Sequence, residues 1–316
     1  MRAVVYDKFG GESVLAVRDI AEPDPAPGEV KVAISFASLN PIDFKLRAGL
    51  FAFIGKPKRP AITGKDFAGR IVALGAGTSG FSVGQRVFGS VDPMQGRGSC
   101  AESVSLSTDL VAATPDAISD EAAACLPVAS GTALQALVAI AGLQGGQSIL
   151  ISGASGAVGS SAVQIARSLG ARITGVCSTA NVEYVRSIGA HEVIDYRTAK
   201  WPPAGSKFDI FFDAAGASSF PAAFRSLSSG GYYINTFPTP AMFLYSPLVG
   251  IVSSMHCVPF MLKTDAKLLQ DLARLAEQMV LQPRIARVIG LQEVAAAQRD
   301  MKDGKVHGKV CVSIAR

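Results

Sequence analysis

The chain has 316 residues, of which 49% are hydrophobic and 17% charged, and its net charge is +5. That length exceeds one ordinary core and fits two domains, and the composition belongs to a well-packed globular protein, not a disordered or fibrous one. The densest basic spot, Lys56-Pro57-Lys58-Arg59, reads as a solvated Pro-containing loop with no aromatic stripe or reading motif beside it, so a nucleic-acid partner is not expected.

The chain begins Met-Arg-Ala-Val-Val-Tyr-Asp, without an apolar signal core, and the expectation is cytoplasmic residence. The first third reads as short strands. Val30, Val32, Ile34 and Phe36 alternate with Lys31, Ala33 and Ser35, the period of a half-buried strand. Further short runs lie at 70–74, 85–89 and 101–106, separated by Gly/Pro/Asp clusters such as Pro23-Asp24-Pro25-Ala26-Pro27-Gly28. Closely spaced strands of this kind suggest a small irregular barrel.

Near residue 120 the texture changes. Ser119-Asp120-Glu121 offers a helix start that runs into a Pro-interrupted helical stretch ending about 143. Strands and helices then alternate: strand 148–152, helix 157–169, strand 172–176, helix 181–188 stopped by Gly189, and strands at 191–195, 208–213 and 231–234. This alternation predicts a doubly wound parallel sheet. The stretch 241–262 carries no charged residue, but Pro247, Gly250 and Pro259 interrupt any spanning helix, and a buried strand with a flanking loop is expected there. No membrane partner follows. The tail reads as a helix over 265–281, a strand near 285–289, a helix near 292–301 and a last strand over 308–314. The expected division is a first domain of 1–121 and 263–316 and an inserted domain of 122–262.

Cys100, Cys125, Cys177, Cys257 and Cys311 stand far apart with no C-x-x-C pair, which argues against a disulfide framework and against a thiolate zinc cluster.

The central chemical signal is Ile149-Leu150-Ile151-Ser152-Gly153-Ala154-Ser155-Gly156-Ala157-Val158-Gly159. It follows a strand and opens a helix, the setting that a dinucleotide-binding loop requires. Backbone N–H groups around Gly156 meet a pyrophosphate at the positive end of the helix dipole, and Gly159 lets the helix pack closely. The form is G-x-x-G-x-x-G from Gly153, with Ala154 where G-x-G-x-x-G needs its first glycine. At the end of the second strand stands Gly175-Val176-Cys177-Ser178-Thr179-Ala180-Asn181, with no acidic residue before Glu183. An NAD site usually places an acid there, so its absence favours NADPH; Ser178 and Thr179 also suit helix caps.

Taken together, these motifs resemble the medium-chain dehydrogenase/reductase superfamily, in its zinc-independent quinone-oxidoreductase and enone-reductase branch. The resemblance rests on Ser38-Leu39-Asn40-Pro41-Ile42-Asp43, Gly64-Lys65-Asp66-Phe67-Ala68-Gly69, Val83-Gly84-Gln85-Arg86-Val87-Phe88-Gly89, Leu126-Pro127 with Gly131-Thr132-Ala133, the glycine loop, Gly189-Ala190-His191 and the closing Gly308-Lys309-Val310. It implies an α/β chain with a GroES-like irregular β-barrel catalytic domain and an inserted Rossmann domain, the active site in the cleft between them, and a homodimer formed near 250–258.

Zinc-dependent relatives place Cys where Asn40 stands and Gly-His-Glu where Gly64-Lys65-Asp66 stands. Lys has no lone pair to offer and Asn is a poor ligand, so no metal is expected. The resemblance places Asn40 by the substrate oxygen and Thr132 by the nicotinamide as the catalytic pair. It sets Gly153, Ser155, Gly156, Ala157, Val158 and Gly159 against the pyrophosphate, Ser178, Asn181 and Tyr196 against the adenosine phosphate, and Lys309 against the cofactor. Asp43 with Lys45 reads as a solvated surface pair, and Asp66 as a backbone anchor. Phe51, Phe53, Phe237, Met242, Phe243 and Tyr245 fit an apolar substrate lining, or equally a core or interface.

The expected function is NADPH-dependent hydride transfer to a small conjugated carbonyl or a quinone. The rivals are a quinone reductase without enone activity and a cofactor-binding sensor without turnover.

Overall fold

The computed structural model describes residues 1–52, 55 and 58–314, and only the backbone of 240, 241, 245 and 250–252. Among these residues the strands are β1 (Arg2–Tyr6), β2 (Ala16–Asp19), β3 (Glu29–Leu39), β4 (Ala61–Ile62), β5 (Asp66–Leu74), β6 (Arg86–Ser90), β7 (Ser103–Ser107), β8 (Val111–Ala113), β9 (Ser148–Ser152), β10 (Arg172–Cys177), β11 (Glu192–Asp195), β12 (Phe208–Asp213), β13 (Leu227–Asn235), β14 (His256–Pro259), β15 (Ile285–Ile289) and β16 (Lys309–Ser313). The helices are α1 (Pro41–Arg47), α2 (Asp120–Ala124), α3 (Pro127–Leu134), α4 (Ala157–Ser168), α5 (Val182–Ser187), α6 (Phe220–Arg225), α7 (Pro240–Val252), α8 (Ala266–Glu277) and α9 (Val294–Lys302). They form two compact units, Met1–Ala129 with Thr264–Arg316, and Ser130–Lys263. Helix α2, which the change of texture assigns to the second unit, packs on β3, β5 and β6 of the first. Among the described residues no helix is long and apolar enough to cross a membrane.

The first unit is built on a three-stranded sheet, β2-β1-β4, and a seven-stranded sheet, β15-β16-β3-β5-β6-β8 with β7 also on β3. Val30, Val32 and Ile34 of β3 are buried as the period of two requires, but a bulge between Ile34 and Phe36 then shifts the phase. Ala37 and Leu39 point into the core in place of Phe36, which is half-buried. They pack with Phe67, Ile71, Val310 and Val312.

In the second unit six parallel strands follow the order β11-β10-β9-β12-β13-β14. Chain direction across the sheet reverses between β9 and β12, and in such sheets the crevice beyond those two strand ends is where ligands bind. Leu150, Val176, Phe211 and Tyr233 form part of the core.

The uncharged stretch 241–262 is α7 followed by β14, not a buried strand with a loop. Pro240 occupies the first turn, where a missing N–H costs no intrahelical bond, and Pro247 lies within the helix. Ser246 Oγ donates to the Cys257 carbonyl at 2.6 Å, tying α7 to β14. Met242 and Val249, two turns apart, bury against the sheet, while Phe243, Leu244 and Leu248 are exposed. With apolar residues on both faces the helix shows no period in the sequence.

Candidate functional site

The chain leaves β9 at Ser152 and turns through Gly153, whose φ of +65° is left-handed and whose added Cβ would meet the Ala215 Cβ at 3.0 Å. Gly156 then stands at the N-cap of α4, and no side chain caps the helix. A twelve-residue helix opened by glycine leaves its first N–H groups for an anion. Gly159 sits where any Cβ would lie 2.1 Å from the Gly153 carbonyl oxygen, so only glycine brings the helix this near the loop. Ser155, Ala157 and Val158 are half-buried on the same turn, and Ala154 is buried, its N–H donating to the Val176 carbonyl. Pyrophosphate binding suits this backbone.

One residue of this turn was not read from the sequence. Asp213, at the end of β12 in register with Ser152, is fully buried. It accepts from Ser152 Oγ, from the Ala217 and Ser218 N–H groups at 3.2 and 3.0 Å, and from the Tyr233 hydroxyl at 3.1 Å. Tyr233 in turn accepts from Asn235 Nδ2, and Asn235 Oδ1 accepts from the Phe237 N–H. Burial, with the Asp213 charge beside it, pushes the Tyr233 hydroxyl well up. The network ties together the loops that leave β9, β12 and β13.

At the end of β10, Asn181 is buried and its Nδ2 donates to Ser178 Oγ at 3.0 Å. Neither Ser178 nor Thr179 caps the following helix; Thr179 Oγ1 donates instead to Asp195 Oδ2 at 2.6 Å. Tyr196, 49% exposed, lies beside them, its N–H donating to the Cys177 carbonyl, with the Arg197 guanidinium 6.0 Å from its ring. Ser178, Asn181 and Tyr196 therefore come together. So does an acid: Asp195 pairs in register with Cys177, and the Thr179 hydroxyl with the Arg197 N–H holds its carboxyl below the usual range. Because Asp195 arrives on the next strand, the local sequence after β10 does not show it. Thr132 is buried in α3.

In the first unit the ends of three strands converge. Ser38 of β3 pairs with Asp66 of β5, and Leu39 with Val310 of β16, which brings Asn40, Asp66 and Lys309 together. Asn40 is 2% exposed. Its Nδ2 donates to Asp66 Oδ2 at 2.9 Å, and its Oδ1 accepts from Lys309 Nζ at 2.7 Å. Lys309, also 2% exposed, donates to the Leu39 carbonyl at 3.2 Å and lies 3.6 Å from Asp66 Oδ2. Asp66 takes the Val128 N–H at 3.2 Å, in keeping with a backbone anchor, and its other oxygen is unpartnered. Burial raises its carboxyl despite the Lys309 charge.

Asp43 is no surface residue. It is 3% exposed in the first turn of α1, where its Oδ2 takes the Asn40 N–H at 2.7 Å and its Oδ1 has no partner. Desolvation pushes this carboxyl up to about 7. Of the residues named as an apolar lining, Met242 is core and Phe243 is 51% exposed, both in the second unit, and Phe51 belongs to the first unit. Phe53, Lys56, Pro57 and the Tyr245 side chain lie outside the described residues.

Residues 26–151 match the family model for the alcohol dehydrogenase GroES-like domain, and residues 188–312 match that for zinc-binding dehydrogenase. The chain is 33% identical to the chloroplast envelope quinone oxidoreductase homolog of Arabidopsis thaliana, over 99% of this chain and 98% of that one. It is 33% identical to the chloroplastic NADPH-dependent alkenal/one oxidoreductase of the same plant, over 73% and 61% of the two chains. The solved quinone oxidoreductase of Coxiella burnetii superposes with a TM-score of 0.89 at 26% identity, covering 99% of both chains.

Proposed function

The chain belongs to the quinone-oxidoreductase and enone-reductase branch of the medium-chain dehydrogenase/reductase superfamily, and from that premise we propose that it passes hydride from NADPH to a conjugated carbonyl or a quinone without zinc. The observation that carries the reading is the surrounding of Asn40. Where zinc-using relatives place a thiolate, this chain has an amide whose oxygen accepts from an ammonium 2.7 Å away. A cation already fills that oxygen's direction, and Lys65, next in the chain to Asp66, has no lone pair for a metal when charged. The residues present do not fit zinc.

They do fit a dinucleotide. Gly153, Ser155, Gly156, Ala157, Val158 and Gly159 would hold its pyrophosphate, and Ser178, Asn181 and Tyr196 its adenosine phosphate. Both oxygens of Asp195 are engaged by Thr179 and Arg197, which supports NADPH over NADH although an acid is near. When bound, the cofactor supplies hydride. The chain's own part would be to orient and to stabilise: Asn40 would donate to the acceptor oxygen as negative charge develops there, and Thr132 would hold the nicotinamide end of the cofactor. Conjugated acceptors suit a site without a Lewis acid because the arriving electrons spread over several atoms.

All five cysteines are free thiols, which fits a reducing compartment such as the cytoplasm. The edge position of β14 and the apolar face of α7 support a homodimer.

The test is NADPH and NADH oxidation in chelator-treated buffer with quinones, enones and simple alcohols or ketones. Rapid NADPH consumption with conjugated acceptors alone is expected. Turnover of a simple alcohol that needs added zinc would overturn the reading.

A further inference from the structure

A side-chain amide has a donor end and an acceptor end of nearly the same shape, so its chemistry alone does not fix which end faces where. At Asn40 the neighbours do. Lys309 Nζ has donors only and lies 2.7 Å from Oδ1; the Asp66 carboxylate has acceptors only and lies 2.9 Å from Nδ2. Turning the amide over would set NH2 against ammonium and carbonyl oxygen against carboxylate, replacing two charge-assisted hydrogen bonds by two repulsions. All three side chains are buried, so water offers little relief. Each charged partner is itself anchored: Lys309 to the Leu39 carbonyl, and Asp66 to the Val128 N–H.

We propose that Lys309 and Asp66 are positioning residues for hydride transfer, acting by locking the Asn40 amide with its nitrogen committed as donor, and that Lys309 does not act by touching the cofactor. Asp66 takes one Nδ2 hydrogen at 2.9 Å, and the second, held only by a long 3.5 Å contact to the Ser38 carbonyl, is the one offered to the acceptor oxygen. A donor fixed beforehand needs no reorganisation as the charge forms. The inference rests on the proposed role of Asn40, and the experiment separates the two.

The experiment compares Asn40→Ala, Lys309→Met and the double variant, measuring kcat with a quinone at saturating NADPH and the NADPH Kd by fluorescence. Asn40→Ala is expected to lose ~10²-fold or more in kcat. Lys309→Met is expected to lose about tenfold in kcat with the NADPH Kd unchanged, and the double variant to be no slower than Asn40→Ala, as for residues that act as a unit. Lys309→Arg, which keeps a donor toward Oδ1, recovers part of the loss. If Lys309→Met fails to fold because Asp66 is left uncompensated, Lys309→Met with Asp66→Asn removes both charges and is expected to show the same kcat loss. Losses that multiply in the double variant, or a raised NADPH Kd in Lys309→Met, overturn the positioning role alone. An unchanged kcat in Asn40→Ala overturns the role of Asn40 and the positioning role with it.

Discussion

Burial of the Asp43 carboxyl with one oxygen unpartnered makes this residue a source of pH-dependent stability. Facing it are Lys65 and Asp66 at the start of β5, Lys309 on β16, Tyr6 on β1 and Cys100; the two lysines favour its ionisation and Asp66 opposes it. An unfolded Asp titrates near ~4, whereas this one titrates at about 7, so the fold prefers the neutral form. Its contribution is fully present below ~4 and is lost as pH rises through about 7. Asp43→Asn keeps an oxygen for the Asn40 N–H and removes the charge. Relative to the parent it should gain ~2–4 kcal/mol between about pH 4 and pH 8, seen as a Tm gap that widens by several degrees in calorimetry. Parallel Tm profiles would contradict the assignment. The motifs single out Asn40 and Asp66, but they do not show the burial of Asp43, because a Pro-Ile-Asp turn reads the same inside or outside a core. Asp213 stayed hidden because two of its partners, Ser152 and Tyr233, stand 61 and 20 residues away.

The element proposed to set cofactor choice is the turn after β10, which meets the end of β11 where Thr179 bonds Asp195. There the hydroxyl of Ser178 is held by Asn181 and that of Thr179 by Asp195, and the Asp195 charge is turned to backbone and hydroxyl donors. Ser178→Asp would place an unengaged acid where a ribose 2′-OH is bound in NAD sites. The expected result is a shift of at least about tenfold, about 1.4 kcal/mol, from NADPH toward NADH in the ratio of Kd values from fluorescence titration. An unchanged ratio would mean that the adenosine phosphate is held elsewhere. Elements with a clean period were the legible ones: β9, α4 and β10 stand where their apolar spacing predicts. The bulge in β3 and the helix α7 were not. A bulge inserts a phase shift that composition does not mark, and α7 lacks the polar stripe that makes a helix visible.

At the scale of the whole chain, the alternation of strands and helices after residue 120 and the irregular short strands before it were enough to foresee two units of different build. One unit carries a loop in which Gly153 and Gly159 have no room for a side chain, and the other a buried Lys-Asn-Asp cluster. On the proposed reading, each unit serves zinc-free hydride transfer to an acceptor that spreads charge by itself. The most direct measurement is a single turnover with NADPH deuterated at its transferable position and an enone acceptor, using enzyme dialysed against a strong chelator. The account predicts one deuterium in each product molecule at a rate that dialysis leaves unchanged. Product without deuterium, or a rate lost on dialysis and restored by zinc, would contradict it.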